Sequence, residues 1–266
     1  DIDKGRGNSN KLLNRFLRYG TREFGLRLAQ FDGGNLRNAI PREAFAIFGV
    51  SAGCVKPMLE RFETYKAEIT AEFQMTESSL EVTLAEEPAP AQVVDEVTQR
   101  RLVNAVCGVP NGVLAMSSAM PGLVETSTNL ASVKFPEPGR IVVTTSQRSS
   151  VGSARDEAAA SVRAVFDLAG ARVIHSDGYP GWNPNPGSRL LKVAEQTYER
   201  LFGHAPKVRA IHAGLECGLF LEKYPHLEMV SFGPTLRGVH SPDERLEIAT
   251  VPKFWDLLAD ILKKVE

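Results

Sequence analysis

The stretch at residues 210–248 reads AIHAGLECGLFLEKYPHLEMVSFGPTLRGVHSPDERLEI and contains most of the chemically active side chains of the chain's C-terminal part. Two short apolar runs, residues 208–211 and 227–232, are typical of buried parallel strands because they are rich in Val, Ile or Met and precede turns that contain glycine. A short helix over Glu216–Lys223 would join them as a β-α-β unit. Ligands commonly bind at the carboxyl ends of such strands, so the loops that follow the two runs are candidate site loops.

His240 lies in the second of these loops, in the string GVHSPDE at residues 238–244. Pro242 restrains the backbone beside it. Asp243 and Glu244 are close enough in sequence to orient an imidazole, as carboxylates do for metal-bound histidines. A zinc site needs three or four ligands and this loop offers one, so the spacing alone leaves open both a metal ligand and an ordinary loop histidine.

The first loop contains Glu216 between Gly214 and Gly218, and these glycines let the backbone approach a ligand closely. A carboxylate that interacts with free amides at a helix N-terminus explains Glu216 equally well. Cys217 would need a nearby base to act as a nucleophile. His212 is close in sequence but lies on the strand side of the same turn, so a buried packing role is the simpler interpretation of this cysteine.

Composition excludes several classes of function. The chain has 266 residues, of which 43% are hydrophobic, so it can form one large or two modest domains. A net charge of −1 gives no electrostatic basis for binding nucleic acid or an anionic membrane. No apolar run approaches the roughly 20 residues of a membrane span. Cys54, Cys107 and Cys217 form no CxxC pair, which favours a reducing, cytoplasmic environment.

Hydrophobic periodicity predicts an α+β domain followed by the β-α-β unit. Amphipathic helices are predicted over residues 8–22, 51–73, 93–106, 153–168, 188–202 and 251–265, with Ser51, Ser153 and Ser188 as N-caps. Pro57 in the first turns of the second helix leaves open a start nearer residue 55. Strands are predicted over residues 25–30, 43–50, 79–86, 112–117, 124–135, 139–146 and 171–176. This order favours an antiparallel sheet covered on one face by helices. Residues 179–186, rich in Pro, Gly and Asn, are the predicted domain boundary.

Several rare strings resemble the Xaa-His dipeptidases, which are aminoacyl-histidine dipeptidases similar to bacterial carnosinase. They belong to the co-catalytic two-zinc peptidases, a group that includes aminoacylases and carboxypeptidases. The strings are GRGN at residues 5–8, VETS at 124–127, YPGW at 179–182, HAGLECGLF at 212–220, SFGP at 231–234 and GVHSPDE at 238–244. They occur in the order of that family, so the resemblance covers essentially the whole chain.

The resemblance implies hydrolysis of dipeptides, carnosine-like Xaa-His dipeptides among them, by a zinc-activated water, with two zinc ions per intact subunit and His240 as a zinc ligand. Residues 1–180 would be a lid domain that forms a homodimer, and residues 181–266 the C-terminal part of an α/β catalytic domain. The family's other metal ligands and its general-base Glu would precede Asp1. We therefore expect this chain to be part of a longer enzyme and to be inactive by itself.

The resemblance also implies a set of substrate-binding residues. Gly214, Leu215 and Glu216 would line the substrate pocket. Arg148 would bind the C-terminal carboxylate of the dipeptide, for which the planar guanidinium is suited, although a solvated arginine at a strand end is the alternative. Asn129 would lie near the substrate, or its amide would be satisfied by backbone groups. The residues after Ser149 depart from the family pattern, so the geometry around Arg148 stays open.

Two other functions stay open. The first is a related two-zinc peptidase or amidohydrolase with a different substrate, because no residue here dictates a preference for histidine. The second is a non-catalytic lid and dimerisation fragment that binds partners, because a single metal ligand cannot form a co-catalytic site.

Overall fold

The computed structural model describes residues 1–118, 120–176, 178, 182, 185, 187–209, 216–239 and 243–265. The chain divides into two compact units, Asp1–Gly178, called here the N-terminal unit, and Tyr179–Glu266, the C-terminal unit. Over the described ranges, no helix is both long and apolar enough to cross a membrane.

The N-terminal unit is built on a five-stranded antiparallel sheet. Its strands are β1 (Arg27–Gly33), β2 (Ala44–Gly49), β3 (Gly112–Met116), β4 (Val124–Glu137) and β5 (Arg140–Ser149). Its helices are α1 (Ser9–Glu23), α2 (Val55–Phe73), α3 (Glu96–Gly108) and α4 (Gly152–Leu168). The strand order is β2-β1-β4-β3, and β5 pairs with the other edge of β4. These elements agree with the predicted helices and with five of the seven predicted strands.

The main core lies between this sheet and helices α1, α3 and α4. Its fully buried side chains include Leu17 of α1, Phe31 of β1, Val106 of α3 and Leu130 of β4. Burying each such side chain contributes about 1.5–3 kcal/mol relative to leaving it in water. The apolar face of each of these amphipathic helices is therefore the face that packs against the sheet.

Helix α2 forms a second core against α1. The rings of Phe16 and Phe62 pack edge to face with centroids 5.4 Å apart. Tyr65 is buried beside them, and its hydroxyl donates to the Leu12 carbonyl oxygen. Burial raises the pKa of Tyr65 because it disfavours the phenolate.

Two predicted strands of the N-terminal unit are wrong. Residues 79–86 pair with no described strand, although Leu80, Val82 and Leu84 pack against the second core as their alternation predicted. Residues 171–176 also form no strand, and Ile174 is exposed. The predicted cap of α4 is wrong as well, because this helix begins at Gly152 and its N-cap, Val151, makes no side-chain hydrogen bond.

The C-terminal unit contains helices α5 (Arg189–Phe202), α6 (Glu216–Lys223) and α7 (Val251–Leu262), and a short hairpin of β6 (Leu236–Arg237) and β7 (Arg245–Leu246). Ser188 caps α5 as predicted, because its hydroxyl accepts from the Leu191 backbone N–H. Helices α5 and α7 share a core at Ala194, Leu257 and Ile261.

The predicted β-α-β unit is only partly correct. Helix α6 has the predicted bounds, but residues 227–232 form no strand, nor do residues 208 and 209, while residues 210 and 211 lie outside the described part of the chain. A parallel strand forms only beside another strand, and the described residues supply none next to this run. Val230 and Phe232 instead pack against the α5–α7 core. Trp255 and Leu262 of α7 are exposed.

Strand β4 has a gap in pairing along one edge, and asparagine side chains fill it. Strand β3 pairs with β4 up to Thr128, and β1 pairs with it at Val133. Between these points, the Leu130 backbone N–H donates to Asn111 Oδ1 at 2.8 Å, and the Leu130 carbonyl oxygen accepts from Asn8 Nδ2 at 3.0 Å. The side-chain amides thus replace the peptide groups of a neighbouring strand.

A buried glutamine completes the edge of β1. Gln99 of α3 accepts from the Leu28 backbone N–H through Oε1 at 2.8 Å. Its Nε2 atom donates to the Leu26 carbonyl oxygen at 2.6 Å and to Thr21 Oγ1 at 3.0 Å. Gln99 therefore ties α1, α3 and β1 together through three hydrogen bonds in the core.

We expect Gln99→Ala to lower the free energy of unfolding by about 1–3 kcal/mol, because it leaves buried backbone groups of Leu26 and Leu28 without partners. Denaturant unfolding followed by circular dichroism measures the change. The control is Gln92→Ala, which removes an exposed glutamine and is expected to change stability by less than about 0.5 kcal/mol. Equal stability of Gln99→Ala and wild type would contradict the role of this side chain.

Candidate functional site

Arg148 lies near the end of β5, directly opposite Ser127 of β4. Its side chain is half-buried and makes no hydrogen bond or ion pair with any residue in the described ranges. The register here is continuous, because Thr126 Oγ1 and Ser149 Oγ contact at 2.8 Å, and Gln147 Nε2 donates to Thr128 Oγ1 at 3.0 Å. The backbone of Arg148 is thus held at a fixed position on the sheet.

Asn129 projects from the same face of the sheet as Arg148. Directly paired residues of antiparallel strands share a face, and so do residues two apart on one strand. Arg148 is opposite Ser127, which is two residues before Asn129, so the two side chains are diagonal neighbours at roughly 7–8 Å. The structure therefore brings together two of the predicted substrate-binding residues, a guanidinium and an amide.

The amide of Asn129 is buried and holds a loop. Its Nδ2 atom donates to the Ala39 carbonyl oxygen at 2.8 Å and to the Arg37 carbonyl oxygen at 3.4 Å. Its Oδ1 atom accepts from Asn8 Nδ2 at 3.4 Å. Of the two roles left open for Asn129, satisfaction by backbone groups is present in this structure, and a contact with substrate stays a prediction.

The loop that Asn129 holds connects β1 to β2, and residues 34–40 are called here the β1–β2 loop. Its base is closed by a hydrogen bond from the Gly34 backbone N–H to the Glu43 carbonyl oxygen at 3.2 Å. Gly34 has φ +70°, and a Cβ atom there would lie 1.9 Å from the Ala131 carbonyl oxygen. Only glycine fits this close crossing over β4.

Cation contacts anchor the start of the same loop. Lys134 of β4 donates to Asn35 Oδ1 at 3.0 Å and also pairs with Asp32. The Arg37 side chain is exposed at the tip. Sequence patterns did not single out this loop as part of the site.

The other predicted site residues are not tested by the structure. Gly214, Leu215 and His240 lie outside the described residues, as does the side chain of Glu216, whose backbone begins α6. Cys217 is half-buried in the first turn of α6, and His212, its candidate base, also lies outside the described ranges. These assignments stay predictions.

The described residues do not by themselves fit a zinc site. No group of three or more His, Cys, Asp or Glu side chains is close enough among them to hold a metal ion. The observed part of the site also offers no general base, because neither a guanidinium nor an amide exchanges protons near neutral pH. Arg148 and Asn129 can bind and orient a carboxylate or a peptide group.

Comparisons with known proteins agree with this architecture. The profile of "Peptidase family M20/M25/M40" matches residues 46–264. The chain is 40% identical over 268 residues to the cytosol non-specific dipeptidase of Escherichia coli strain K12, which covers 100% of this chain and 54% of that protein.

A solved structure is similar over the same extent. The crystal structure of aminoacylhistidine dipeptidase from Vibrio alginolyticus superposes with a TM-score of 0.90 at 41% identity, covering 100% of this chain and 54% of that one. The chain thus spans about half the length of these relatives. Because the profile matches most of the chain and both relatives match all of it, the chain belongs to peptidase family M20/M25/M40.

Proposed function

We propose that this chain is part of a metal-dependent dipeptidase and that its N-terminal unit binds the dipeptide. The observation that supports the proposal most is the half-buried Arg148, which has no protein partner among the described residues and lies beside Asn129 in a chain similar to two dipeptidases. A guanidinium in that position can pair with the terminal carboxylate that every dipeptide carries.

The substrate class follows from the same relatives. One is named a non-specific dipeptidase and the other an aminoacylhistidine dipeptidase. We infer dipeptides as substrates, with Xaa-His dipeptides such as carnosine among them. Comparing hydrolysis of carnosine with that of dipeptides without histidine separates this specificity from the alternative of another two-zinc peptidase or amidohydrolase.

In this proposal, residues 1–180 are the lid and dimerisation domain, and residues 181–266 are part of the catalytic domain. Gly214, Leu215 and Glu216 line the substrate pocket, and His240 binds zinc. When bound, two zinc ions would supply an activated water and polarise the scissile carbonyl. The described residues supply binding and orientation of the dipeptide. Function in the cytoplasm is consistent with three free cysteines.

We expect His240→Ala to reduce the zinc content of the protein expressed from its complete gene from about two ions per subunit. We also expect it to lower kcat for dipeptide hydrolysis by about 100-fold or more, because a catalytic zinc is held by about three protein ligands and loss of one weakens its binding and changes its geometry. Metal analysis alongside intact mass measures the first effect. His226→Ala, which removes an exposed histidine outside the predicted site, is the control. Unchanged zinc and turnover in His240→Ala would remove His240 from the site.

We expect Arg148→Ala to raise KM for dipeptides by about 10- to 100-fold with a smaller change in kcat, because a charge-assisted hydrogen bond contributes about 1.5–3 kcal/mol. Steady-state kinetics on the protein expressed from its complete gene measure the effect. The same variant should not differ from wild type on a dipeptide amide, which lacks the carboxylate.

The matched control for this variant is Arg140→Ala on the same strand. Arg140 is exposed at the start of β5 and pairs with Glu137 at 3.0 Å, so its loss should leave KM unchanged. If Arg148→Ala had wild-type KM and kcat, or if it weakened the dipeptide and its amide equally, Arg148 would not be the carboxylate-binding residue.

A second candidate is a non-catalytic unit that only forms dimers. Strands β2 and β5 each pair with one described neighbour, so each has an edge along which a second copy can add a strand. We expect the protein to be a homodimer through residues 1–180, and light scattering gives the molar mass that checks this. A monomer at micromolar concentration would rule out the lid dimer. Dipeptide hydrolysis by the 266-residue chain alone would exclude a purely non-catalytic role.

A further inference from the structure

We propose that Asn8 is a positioning residue that acts through Asn129 to fix the substrate-binding amide and the β1–β2 loop. The proposal rests on the proposed function, in which Asn129 contacts the dipeptide. Asn8 and Asn129 are buried, and they are 121 residues apart in the sequence. Asn8 Nδ2 contacts Asn129 Oδ1 directly at 3.4 Å, and this contact links Asn8 to the candidate site.

The orientation of each amide in this chain of contacts is fixed by backbone groups. Asn8 Oδ1 accepts from the backbone N–H groups of Asn10 and Lys11, at 3.1 and 3.3 Å, so its Nδ2 atom must face the Leu130 carbonyl oxygen. Asn129 must present Nδ2 to the Ala39 carbonyl oxygen, because a carbonyl only accepts. Its Oδ1 atom is therefore left facing the Asn8 Nδ2 donor.

The amide nitrogen of Asn8 has more acceptor atoms within reach than it has hydrogens to donate. Its amide nitrogen carries two hydrogens and lies within reach of Leu130 O at 3.0 Å, Asn111 Oδ1 at 3.1 Å and Asn129 Oδ1 at 3.4 Å. The contact with Asn129 is the longest of the three. An amide oxygen has two lone pairs, so Asn129 Oδ1 keeps one for an N–H group of a bound dipeptide. Asn8 thus supports the orientation of Asn129 that the Ala39 carbonyl oxygen sets, without saturating its Oδ1 atom.

Two substitutions separate this role from helix capping. Asn8→Asp keeps the oxygen that caps α1. It replaces the Nδ2 donor by a carboxylate oxygen, which then faces the acceptor oxygens of Leu130, Asn111 and Asn129. Asn8→Ser keeps a capping oxygen without adding a charge. Asp95→Ala removes the N-cap of α3, whose carboxylate accepts from the Thr98 backbone N–H at 2.9 Å, and so serves as the control for capping alone.

Kinetics on the protein expressed from its complete gene test the functional part. We expect Asn8→Asp and Asn8→Ser to raise KM about 3- to 10-fold, the effect of one neutral hydrogen bond, with kcat within about twofold of wild type. In the Asn129→Ala background, both substitutions should change KM by less than about twofold. Asp95→Ala should leave KM unchanged.

Limited trypsin digestion tests the structural part without relying on activity. Arg37 is exposed at the tip of the β1–β2 loop, and its carbonyl is held by Asn129. We expect Asn8→Asp and Asn129→Ala to speed cleavage after Arg37 at least about threefold, measured by mass spectrometry, and Asp95→Ala to leave that rate unchanged.

The outcomes distinguish this proposal from the proposed function. If the wild-type protein hydrolyses no dipeptide, the proposed function is wrong. The rate of trypsin cleavage after Arg37 then still shows whether Asn8 positions Asn129. Wild-type KM in both Asn8 variants, a KM effect that persists undiminished in Asn129→Ala, or an unchanged cleavage rate in Asn8→Asp each overturns the positioning role. An unchanged KM in Asn129→Ala overturns it too, because no substrate-binding amide is then left for Asn8 to orient.

Discussion

Along one edge of β4, the pairing with β3 ends before Leu130 and the pairing with β1 begins after it. The side-chain amides of Asn8 and Asn111 bind the backbone C=O and N–H groups of Leu130 there, in place of a neighbouring strand. A buried peptide without partners is costly, so a strand that is paired by β3 at one end and by β1 at the other needs such a substitute. Because Asn8 is also the N-cap of α1, the same residue starts the first helix and closes the central strand. The register of β4 and the position of α1 are therefore coupled.

The candidate site is a consequence of that register. Unbroken pairing of β4 with β5 from Thr126 to Leu130 puts Arg148 and Asn129 on one face, where a cation without a partner among the described residues lies beside a polar amide. An arginine that is partly withdrawn from water interacts more strongly with an anion than an arginine on the open surface does. A terminal carboxylate, such as the one that a dipeptide carries, has the chemistry that this pair can bind.

Sequence patterns predicted the elements that depend on local chemistry. Helix α5 begins at its Ser188 cap as expected, whereas α4 begins beside Val151, which has no capping side chain and gave no signal. The runs at residues 79–86 and 227–232 have the alternation or the apolar content of strands, but strand formation depends on a neighbouring strand that the run itself does not encode. Arg148 was singled out from its residue type and from resemblance, and its role toward substrate stays a prediction. The hydrogen bonds from Asn129 to carbonyl oxygens some 90 residues away could not be predicted, because tertiary structure sets those contacts.

The β1–β2 loop is fixed at three points: its closed base, the crossing of Gly34 over Ala131, and the hold of Asn129 on Ala39. Mutations at the exposed positions Leu36, Arg37 and Asn38 leave these points intact, because the carbonyl groups that Asn129 binds belong to every residue type. Substitutions at this tip therefore change its side chains without altering the sheet beneath it. The loop thus combines a sterically constrained base with a tip whose side chains supply none of the three anchors.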